Sequence, residues 1–437
     1  MRSIGLARRT ALRLSGLAAR AGLVLLVALA GLLVAGRLRV TPAVRTIAVG
    51  SRPLALAVDG QTRRVFVANF GSATVNMLDA ESGAILTTVA VAPHPSTLAI
   101  AAAAGRVFAG SDDVRSAGVG RVSVLDATSG RRLRIVTVGR GAHLLAVHER
   151  TGHVFVTNGG DDSVSLLDAH SGQVLRTIPL GLVPFAMAVD ERTNRVFLLT
   201  GAPSFYPSPT LVSLLDARSG TVLRTVPVGT GAGALAVDER AGQALVSVSN
   251  GYDRTVRVLD GRTASVVRTL AVPLTPGALA VGARSGTIVV ANTADDSVSL
   301  VAAARRRVAR TVPVGLLPWA ITVDQHQGRI VVLTTARLLA SGSADQVQVL
   351  DEQTGRLLHT VAVGTDASAL ALDERTGTVF ATATNLDGIP AGSDSTGWLR
   401  AWFRRWLPWS WVSRLLPPAA TATTGTVTML DLARLPA

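Results

Sequence analysis

The side chains best suited to acid–base chemistry are scattered along this chain of 437 residues and form no recognised motif. The sequence contains no H-x-x-x-H pair, no phosphate-binding glycine loop and no serine nucleophile elbow. His143 and His148 are an odd number of residues apart in one predicted strand, so their side chains should face opposite ways. We predict no catalytic residue among the seven histidines, which are His94, His143, His148, His153, His170, His326 and His359.

Ligands for a metal ion or a cofactor are also missing from the pattern. The aspartate pairs at 112–113, 161–162 and 295–296 lack the alternating spacing of calcium-binding loops, and hairpin turns account for them. Cysteine is absent, which excludes disulfides, thiolate catalysis and thiolate-bound metals. The sequence therefore predicts neither a metal site nor a bound cofactor.

A repeat organises the chain. Strand-like runs that end in Leu-Asp recur at spacings of 47, 42, 48, 44, 42, 49 and 80 residues, and the last spacing contains an insertion. A period of this length is typical of propellers and solenoids. Eight units are predicted, with a seven-bladed ring as the alternative. The runs end at Asp79, Asp126, Asp168, Asp216, Asp260, Ala302, Asp351 and Asp431, where Ala302 replaces the aspartate.

Each unit contains four short strands, which we name A, B, C and D in chain order. In the clearest unit, residues 138–178, the predicted strands are 143–147, 154–157, 163–167 and 174–178. Four-stranded units repeated around an axis form a β-propeller, in which each blade covers the apolar face of its neighbour. The sequence thus predicts an all-β, eight-bladed propeller at residues 44–437.

The A–B and C–D turns follow two recurring phrases. Residues 149–152 (Glu-Arg-Thr-Gly) are typical of the first, and residues 168–172 (Asp-Ala-His-Ser-Gly) are typical of the second. The closing glycine or asparagine supplies the positive φ that such hairpins need. The opening acid is expected to cap the amides of its own turn, so we interpret these acids as structural.

The two ends of the repeat region predict how the ring closes. Residues 44–50 (VRTIAVG) match the D-strand phrase at 175–181 (LRTIPLG), although no A, B or C strand precedes them. Residues 426–432 conversely form a C strand with no D strand after it. The first strand is therefore expected to complete the last blade, which removes two open sheet edges.

The repeat resembles the YVTN family of β-propeller repeats, which is named for a Tyr-Val-Thr-Asn strand. Residues 154–158 read VFVTN, with Phe155 in place of the tyrosine, and DSVSLLD follows at 162–168. Related copies occur at 65–69 and 288–292. The resemblance covers nearly the whole chain after residue 43. It implies the propeller fold and carries over no catalytic residue, because the repeat motif is architectural.

The B–C and D–A connections share one face of a propeller, and the B–C connections vary most. They expand at 110–120, 201–210, 336–345 and 386–425, whereas the turns of the opposite face are uniform. Variation on one face of a regular scaffold indicates an interaction face, with ordinary solvated loops as the alternative. The candidate contact residues are Asp112, Asp113, Arg115, Phe205, Tyr206, Tyr252 and Asp253.

The longest insertion, residues 386–425, holds five of the six tryptophans. Trp398, Trp402 and Trp406 are spaced four apart and would share one stripe of a helix. Tryptophan with arginine is typical of interfacial helices, so we hypothesise a membrane contact; a cap on the propeller and a partner-binding helix are the alternatives. The candidate membrane contacts are Trp398, Trp402, Phe403, Trp406, Trp409 and Trp411.

An uncharged apolar segment at residues 21–36 follows a basic stretch at residues 1–20. Such a segment is a signal peptide or a transmembrane anchor, and the arginines directly after it favour retention. The positive-inside rule places residues 1–20 in the cytoplasm and the propeller outside. We predict a bacterial-type membrane protein with its propeller on the periplasmic or cell-surface side, or a secreted protein if the segment is cleaved.

The formal net charge of +14 does not indicate a nucleic-acid-binding protein. Eight arginines and no acid lie before residue 46, and a further excess of arginine lies in the tryptophan-rich insertion. The repeats carry little of the excess, so a basic stripe that follows phosphates is not expected.

The leading expectation is a membrane-tethered, extracytoplasmic propeller that binds a protein, glycan or lipid at its variable face. The alternative is a hydrolase, a lactonase-like lyase or a redox-cofactor protein with a site at the central channel. Acids or histidines that converge from different blades would favour the enzyme.

Overall fold

The computed structural model describes residues 43–111, 118–201, 209–250, 253–272, 275–302, 307–335, 344–384 and 424–435. In these ranges the chain forms thirty-two β-strands and one 3-10 turn. The strands form eight four-stranded antiparallel sheets, which confirms eight blades and excludes seven. The helix expected at residues 21–36 and almost all of the tryptophan-rich insertion lie outside the described residues.

Strand β1, Val44–Val49, precedes four blades that are each continuous in the chain. Blade 1 consists of Pro53–Asp59 (β2), Arg64–Asn69 (β3), Thr74–Asp79 (β4) and Ile85–Ala90 (β5). Blade 2 consists of Pro95–Ala101 (β6), Arg106–Ser111 (β7), Arg121–Asp126 (β8) and Arg132–Thr137 (β9). Blade 3 consists of Ala142–His148 (β10), His153–Asn158 (β11), Ser163–Asp168 (β12) and Val174–Pro179 (β13). Blade 4 consists of Val183–Asp190 (β14), Arg195–Gly201 (β15), Pro209–Asp216 (β16) and Val222–Thr230 (β17).

The next three blades are also continuous, and the eighth is not. Blade 5 consists of Ala232–Asp238 (β18), Gln243–Ser249 (β19), Arg254–Asp260 (β20) and Val266–Ala271 (β21). Blade 6 consists of Pro276–Val281 (β22), Ile288–Asn292 (β23), Ser297–Ala302 (β24) and Arg307–Pro313 (β25), with the 3-10 turn Thr293–Asp295 after β23. Blade 7 consists of Ala320–Asp324 (β26), Arg329–Thr334 (β27), Asp345–Asp351 (β28) and Leu357–Gly364 (β29). Blade 8 contains Ala367–Asp373 (β30), Thr378–Ala383 (β31) and Gly425–Asp431 (β32).

The ring is closed by the strand that the sequence predicted. Strand β1 runs antiparallel to β32, from Val44 opposite Leu430 to Val49 opposite Gly425, and so serves as the D strand of blade 8. The A strands form the inner circle, because each contacts the A strands of the two neighbouring blades, including β30 with β2. The D strands are therefore the outer rim.

The hydrophobic core lies between successive blades. The third residue of the B strand is a fully buried phenylalanine in five blades, and Phe155 is one of them. This is the place of the tyrosine in the YVTN phrase, and a phenylalanine brings no hydroxyl that would need a buried partner. These core residues are Phe66, Phe108, Phe155, Phe197 and Phe380.

The C–D turns are capped as the sequence predicted. The carboxylate of Asp126 accepts hydrogen bonds from the Ser129 amide at 2.9 Å and from the Ser129 hydroxyl at 2.8 Å, and Gly130 has a φ of 72°. The Ser129 amide, followed by its hydroxyl, lowers the pKa of Asp126. The same kinds of contact lower the pKa values of Asp168, Asp260 and Asp351.

The A–B turns differ from the sequence prediction. The Thr193 amide donates to Asp190, the last residue of β14, at 2.9 Å, so the strand's own aspartate caps this turn. Glu191 instead accepts the amides of Glu149 at 2.6 Å and Arg150 at 3.2 Å, which belong to blade 3. The prediction that the turn glutamates cap their own turns is therefore wrong for Glu191.

The same cross-blade bond recurs around part of the ring. Glu149 accepts the amides of Ala102 at 2.7 Å and Ala103 at 3.2 Å in blade 2, and Glu239 accepts the amide of Glu191 at 2.8 Å. The turn's own amides already have an acceptor, so the longer glutamate side chain reaches the preceding blade. Each such glutamate thus joins two blades.

The outer strands of blades 1–7 each contain a β-bulge near their start. In β13, Val174 pairs with Leu167 and Arg176 pairs with Leu166, so Leu175 is the extra residue. Strand β1 has no such bulge. Because bulges disrupt an edge, they protect the rim against the addition of a foreign strand.

Candidate functional site

The alternation of strand direction gives the ring two distinct faces. We call the face with the A–B and C–D turns the turn face, and the face with the B–C and D–A connections the variable face. The expanded connections predicted from the sequence all belong to the variable face. This face is the candidate binding site.

One of the candidate contact residues lies in the described part of this face. The carboxylate of Asp253 binds the Arg257 guanidinium at 3.0 Å and the Thr255 hydroxyl at 2.8 Å, while its amide donates to the Asn250 side chain at 2.7 Å. Asp253 therefore stabilises the connection into β20. The other candidates lie outside the described residues, and so do the candidate tryptophans; they are Asp112, Asp113, Arg115, Phe205, Tyr206 and Tyr252.

The variable face contains a cluster that the sequence analysis missed. The Arg52 guanidinium lies 5.0 Å from the centroid of the Phe70 ring, and the His94 ring lies 4.9 Å from the same centroid. Arg52 and His94 belong to successive D–A connections, and Phe70 belongs to the B–C turn between them. A cation over an aromatic ring contributes about 0.5–1 kcal/mol at an exposed site. The three side chains together form a half-buried basic and aromatic surface.

Arg52 and His94 both occupy strained backbone positions. Their φ values are 52° and 58°, and Leu317 and Asp366 have φ values of 45° and 54° in the corresponding connections of blades 7 and 8. Blade 3 has Gly141 at this position. A side chain in this region costs about 1–2 kcal/mol, and such strain is concentrated at functional sites. The substitution of glycine in this phrase is the sequence signal that would have identified the cluster.

An ion pair ties the two connections of blade 3 together. Arg140 Nε lies 2.6 Å from Asp161 Oδ1, and the Arg140 amide donates to Asp161 Oδ2 at 2.6 Å. The Arg140 amide, followed by its guanidinium, lowers the pKa of Asp161. The side chain of Arg140 remains 60% exposed, so this pair lies at the surface of the variable face.

Titratable side chains do come from different blades, but on the turn face. Six A strands end in a buried aspartate or histidine, and each binds an amide of its own A–B turn. Among the described residues, no three histidines or acids lie close enough together to hold a metal ion. We interpret the six as structural caps. They are Asp59, His148, Asp190, Asp238, Asp324 and Asp373.

His148 differs chemically from the other five caps. Its ring is fully buried, and its Nδ1 lies 3.3 Å from Glu191 Oε2. Burial of the ring lowers the pKa of His148, and the carboxylate of Glu191 opposes that shift. His148 therefore lies at the boundary between blades 3 and 4 as a second element of the glutamate contact.

Within the described residues, the structure contains no helix that is both long and apolar enough to cross a bilayer.

The fold and the variable face define an eight-bladed β-propeller with a candidate binding face. The family model of YNCE-like beta-propellers matches residues 7–329, and the chain belongs to this family. Among solved structures, the hydrazine synthase of Kuenenia stuttgartiensis is similar, with a TM-score of 0.52 and 11% sequence identity. The alignment covers 73% of this chain and 98% of that chain, and at this identity it shows the fold alone. No curated protein sequence matches the chain significantly.

Proposed function

We propose that this protein is a binding platform at the outer side of a bacterial-type membrane, and that its variable face holds a protein or glycan partner. The observation that carries the proposal is the strained cluster of Arg52, Phe70 and His94. Arginine and aromatic residues are enriched where interfaces bind most tightly. Glycine would remove the strain at Arg52 and His94, so a role for their side chains accounts for their presence.

The tryptophan-rich insertion extends the same face. The residues on either side of it, Ala383 and Gly425, lie at the variable-face end of blade 8. Val44, where the chain enters the ring, lies at the other end of that blade, opposite Leu430. An insertion that starts opposite the entry point favours partner binding over membrane contact for the tryptophans.

Labelling of single cysteines tests the proposed location, because the chain has no native cysteine. Thr128→Cys, on an exposed C–D turn, should react with a membrane-impermeant maleimide in intact spheroplasts. Ser3→Cys should react only after lysis. The reverse pattern would place the propeller in the cytoplasm and contradict the proposal.

Photo-crosslinking tests the proposed binding face. A photoreactive amino acid at position 70 should give a discrete adduct of higher mass in cells, and the same amino acid at Glu81 on the turn face is the matched control. Glu81 suits this purpose because its side chain is 78% exposed. Adducts at position 81 alone, or at neither position, would contradict a binding role for the variable face.

A further inference from the structure

A band of exposed apolar side chains follows the outer rim through four neighbouring blades. We call it the rim arc and define it as residues 132–135, 174–176, 222–224 and 266–268, which begin the D strands of blades 2–5. Val174 is 37% exposed and Leu175 is 52% exposed. The bulge breaks the alternation of the strand, so two consecutive apolar residues face outward.

Arginine accompanies the apolar residues along the whole rim arc. Arg134, Arg176, Arg224 and Arg268 each follow the bulge of their strand. The rim arc contains no acidic residue. Arg176 donates to the Ser219 carbonyl at 2.9 Å, a neutral partner that leaves the positive charge uncompensated. The rim arc is therefore both apolar and cationic.

A groove of about 620 Å³ lies within the rim arc between blades 2 and 3. Its walls combine aliphatic side chains with one guanidinium. A groove of this size can take a small ligand group that has an anionic part and an apolar part. It is lined by Leu133, Arg134, Ile135, Val136, Gln173 and Val174.

The chain enters the ring at the same edge. Val44 pairs with Leu430 at the turn-face end of blade 8, and the D strands of the rim arc also begin at the turn face. Residues 37–43 separate the apolar segment 21–36 from β1, and seven residues span at most about 25 Å. A bilayer that holds the apolar segment would lie close to this edge.

We propose that the rim arc is a membrane-contact surface that binds the headgroups of anionic lipids. This rests on the membrane tether of the proposed function and adds the surface of the ring that meets the bilayer. Each arginine near an anionic surface increases binding by about fivefold. The exposed valines and leucines enter the boundary between headgroups and acyl chains. Strand pairing with a second copy is disfavoured because the bulges disrupt the edges.

Vesicle flotation of residues 37–437 tests the proposal. These residues include every strand of the closed ring and omit the apolar segment. We expect binding to vesicles of phosphatidylglycerol and phosphatidylcholine, and at least about tenfold weaker binding to phosphatidylcholine alone. Salt at about 0.5 M should release the ring, because it screens exposed charges. Equal binding to both vesicles, or binding to neither, would overturn the proposal.

Substitutions separate the charged from the apolar contribution. Arg134→Gln with Arg224→Gln should weaken flotation by about tenfold or more, while Arg356→Gln with Arg375→Gln, outside the rim arc, should change it less than about twofold. Leu175→Ser should weaken binding without a change in charge, with Leu357→Ser as its control. Unchanged melting temperatures would show that each variant is folded. Equal losses in test and control variants would overturn the assignment.

A parallel measurement distinguishes this inference from the proposed function. Carbonate extraction of the full chain from cell membranes reports the tether alone. A full chain that resists carbonate, together with a ring that does not float, would overturn the rim inference and leave the tether. A carbonate-soluble full chain would remove the tether on which the inference rests. Substitutions that convert a dimer to a monomer without a change in flotation would make a second copy the occupant.

Discussion

The turn face and the variable face use polar side chains in opposite ways. On the turn face, Asp126 caps its own turn and Glu191 binds the amides of the preceding blade, so these carboxylates serve the ring itself. On the variable face, Arg52 and His94 stack on Phe70 from strained backbone positions. The turn face therefore holds the blades together, and the other face is free to vary in length and chemistry.

The difference explains why length variation is confined to one face. A longer A–B turn would move a glutamate away from the amides of its neighbour, and a buried amide without a partner costs about 1–3 kcal/mol. The B–C connections carry no such recurring bond in the described chain. Insertions there leave the contacts between blades intact, so that face can acquire a binding role.

The strand that joins both faces should show the largest effect. Deletion of residues 43–49 removes β1 from β32 and uncovers the core beneath Met429 and Val427. We expect the free energy of unfolding to fall by at least about 5 kcal/mol, since apolar burial and a full ladder of hydrogen bonds are lost. Urea unfolding and small-angle scattering would measure the loss and the open ring. Deletion of residues 1–40 is the control, and equal stability of the two variants would refute closure by β1.

The cross-blade glutamates should outweigh exposed ion pairs of the same face. Glu191→Ala leaves the amides of Glu149 and Arg150 without their acceptor and should cost about 2 kcal/mol. Glu81→Ala removes an ion pair of 3.8 Å from a side chain that is 78% exposed, and should cost less than about 0.5 kcal/mol. Urea midpoints would compare the two. Similar losses would remove the distinction between bridging and exposed acids on the turn face.

A single turn cap should have a smaller and pH-dependent effect. Asp126→Ala should cost about 1 kcal/mol at neutral pH. The Ser129 amide and hydroxyl hold the pKa of Asp126 below its ordinary value of 3.8. The stabilisation is therefore complete above that value and is lost as the pH falls through the lowered pKa.

The stability difference between wild type and Asp126→Ala should consequently shrink in acid. Urea unfolding at several pH values would measure it. Asp126→Asn, which keeps an acceptor and cannot titrate, is the control. A difference that stays constant down to the most acidic stable condition would contradict the capping role.

The smallest expected effect concerns the histidine among the A–B caps. Burial lowers the pKa of His148 below 6.5, so the unfolded chain takes up a proton more readily, and stability should decline as the pH falls below 6.5. His148→Asp, which copies Asp190 of blade 4, should remove up to about 1 kcal/mol of that decline. Melting temperatures between neutral and mildly acidic pH would show it. Parallel profiles of variant and wild type would mean that His148 does not titrate in this range.

The fold was largely predictable from the chain, and the candidate site was not. The buried Phe155, the positive φ of Gly152 and Gly172, and the closing strand all follow from patterns that lie within one repeat. The partner of Glu149 was predicted wrongly because Ala102 lies 47 residues earlier, in another blade. Arg52, Phe70 and His94 belong to three separate connections, so their contact depends on how two blades meet.

The amino-acid sequence by itself determined the number of blades, the four strands of each and the strand that closes the ring. Those features depend on alternation and turn residues that interact over a few positions along the chain. Only the tertiary structure decided which turn acids bridge blades, which side chains the bulges turn outward, and at which end of blade 8 the chain enters. These outcomes depend on the angle and register between sheets whose contacting residues lie some forty positions apart.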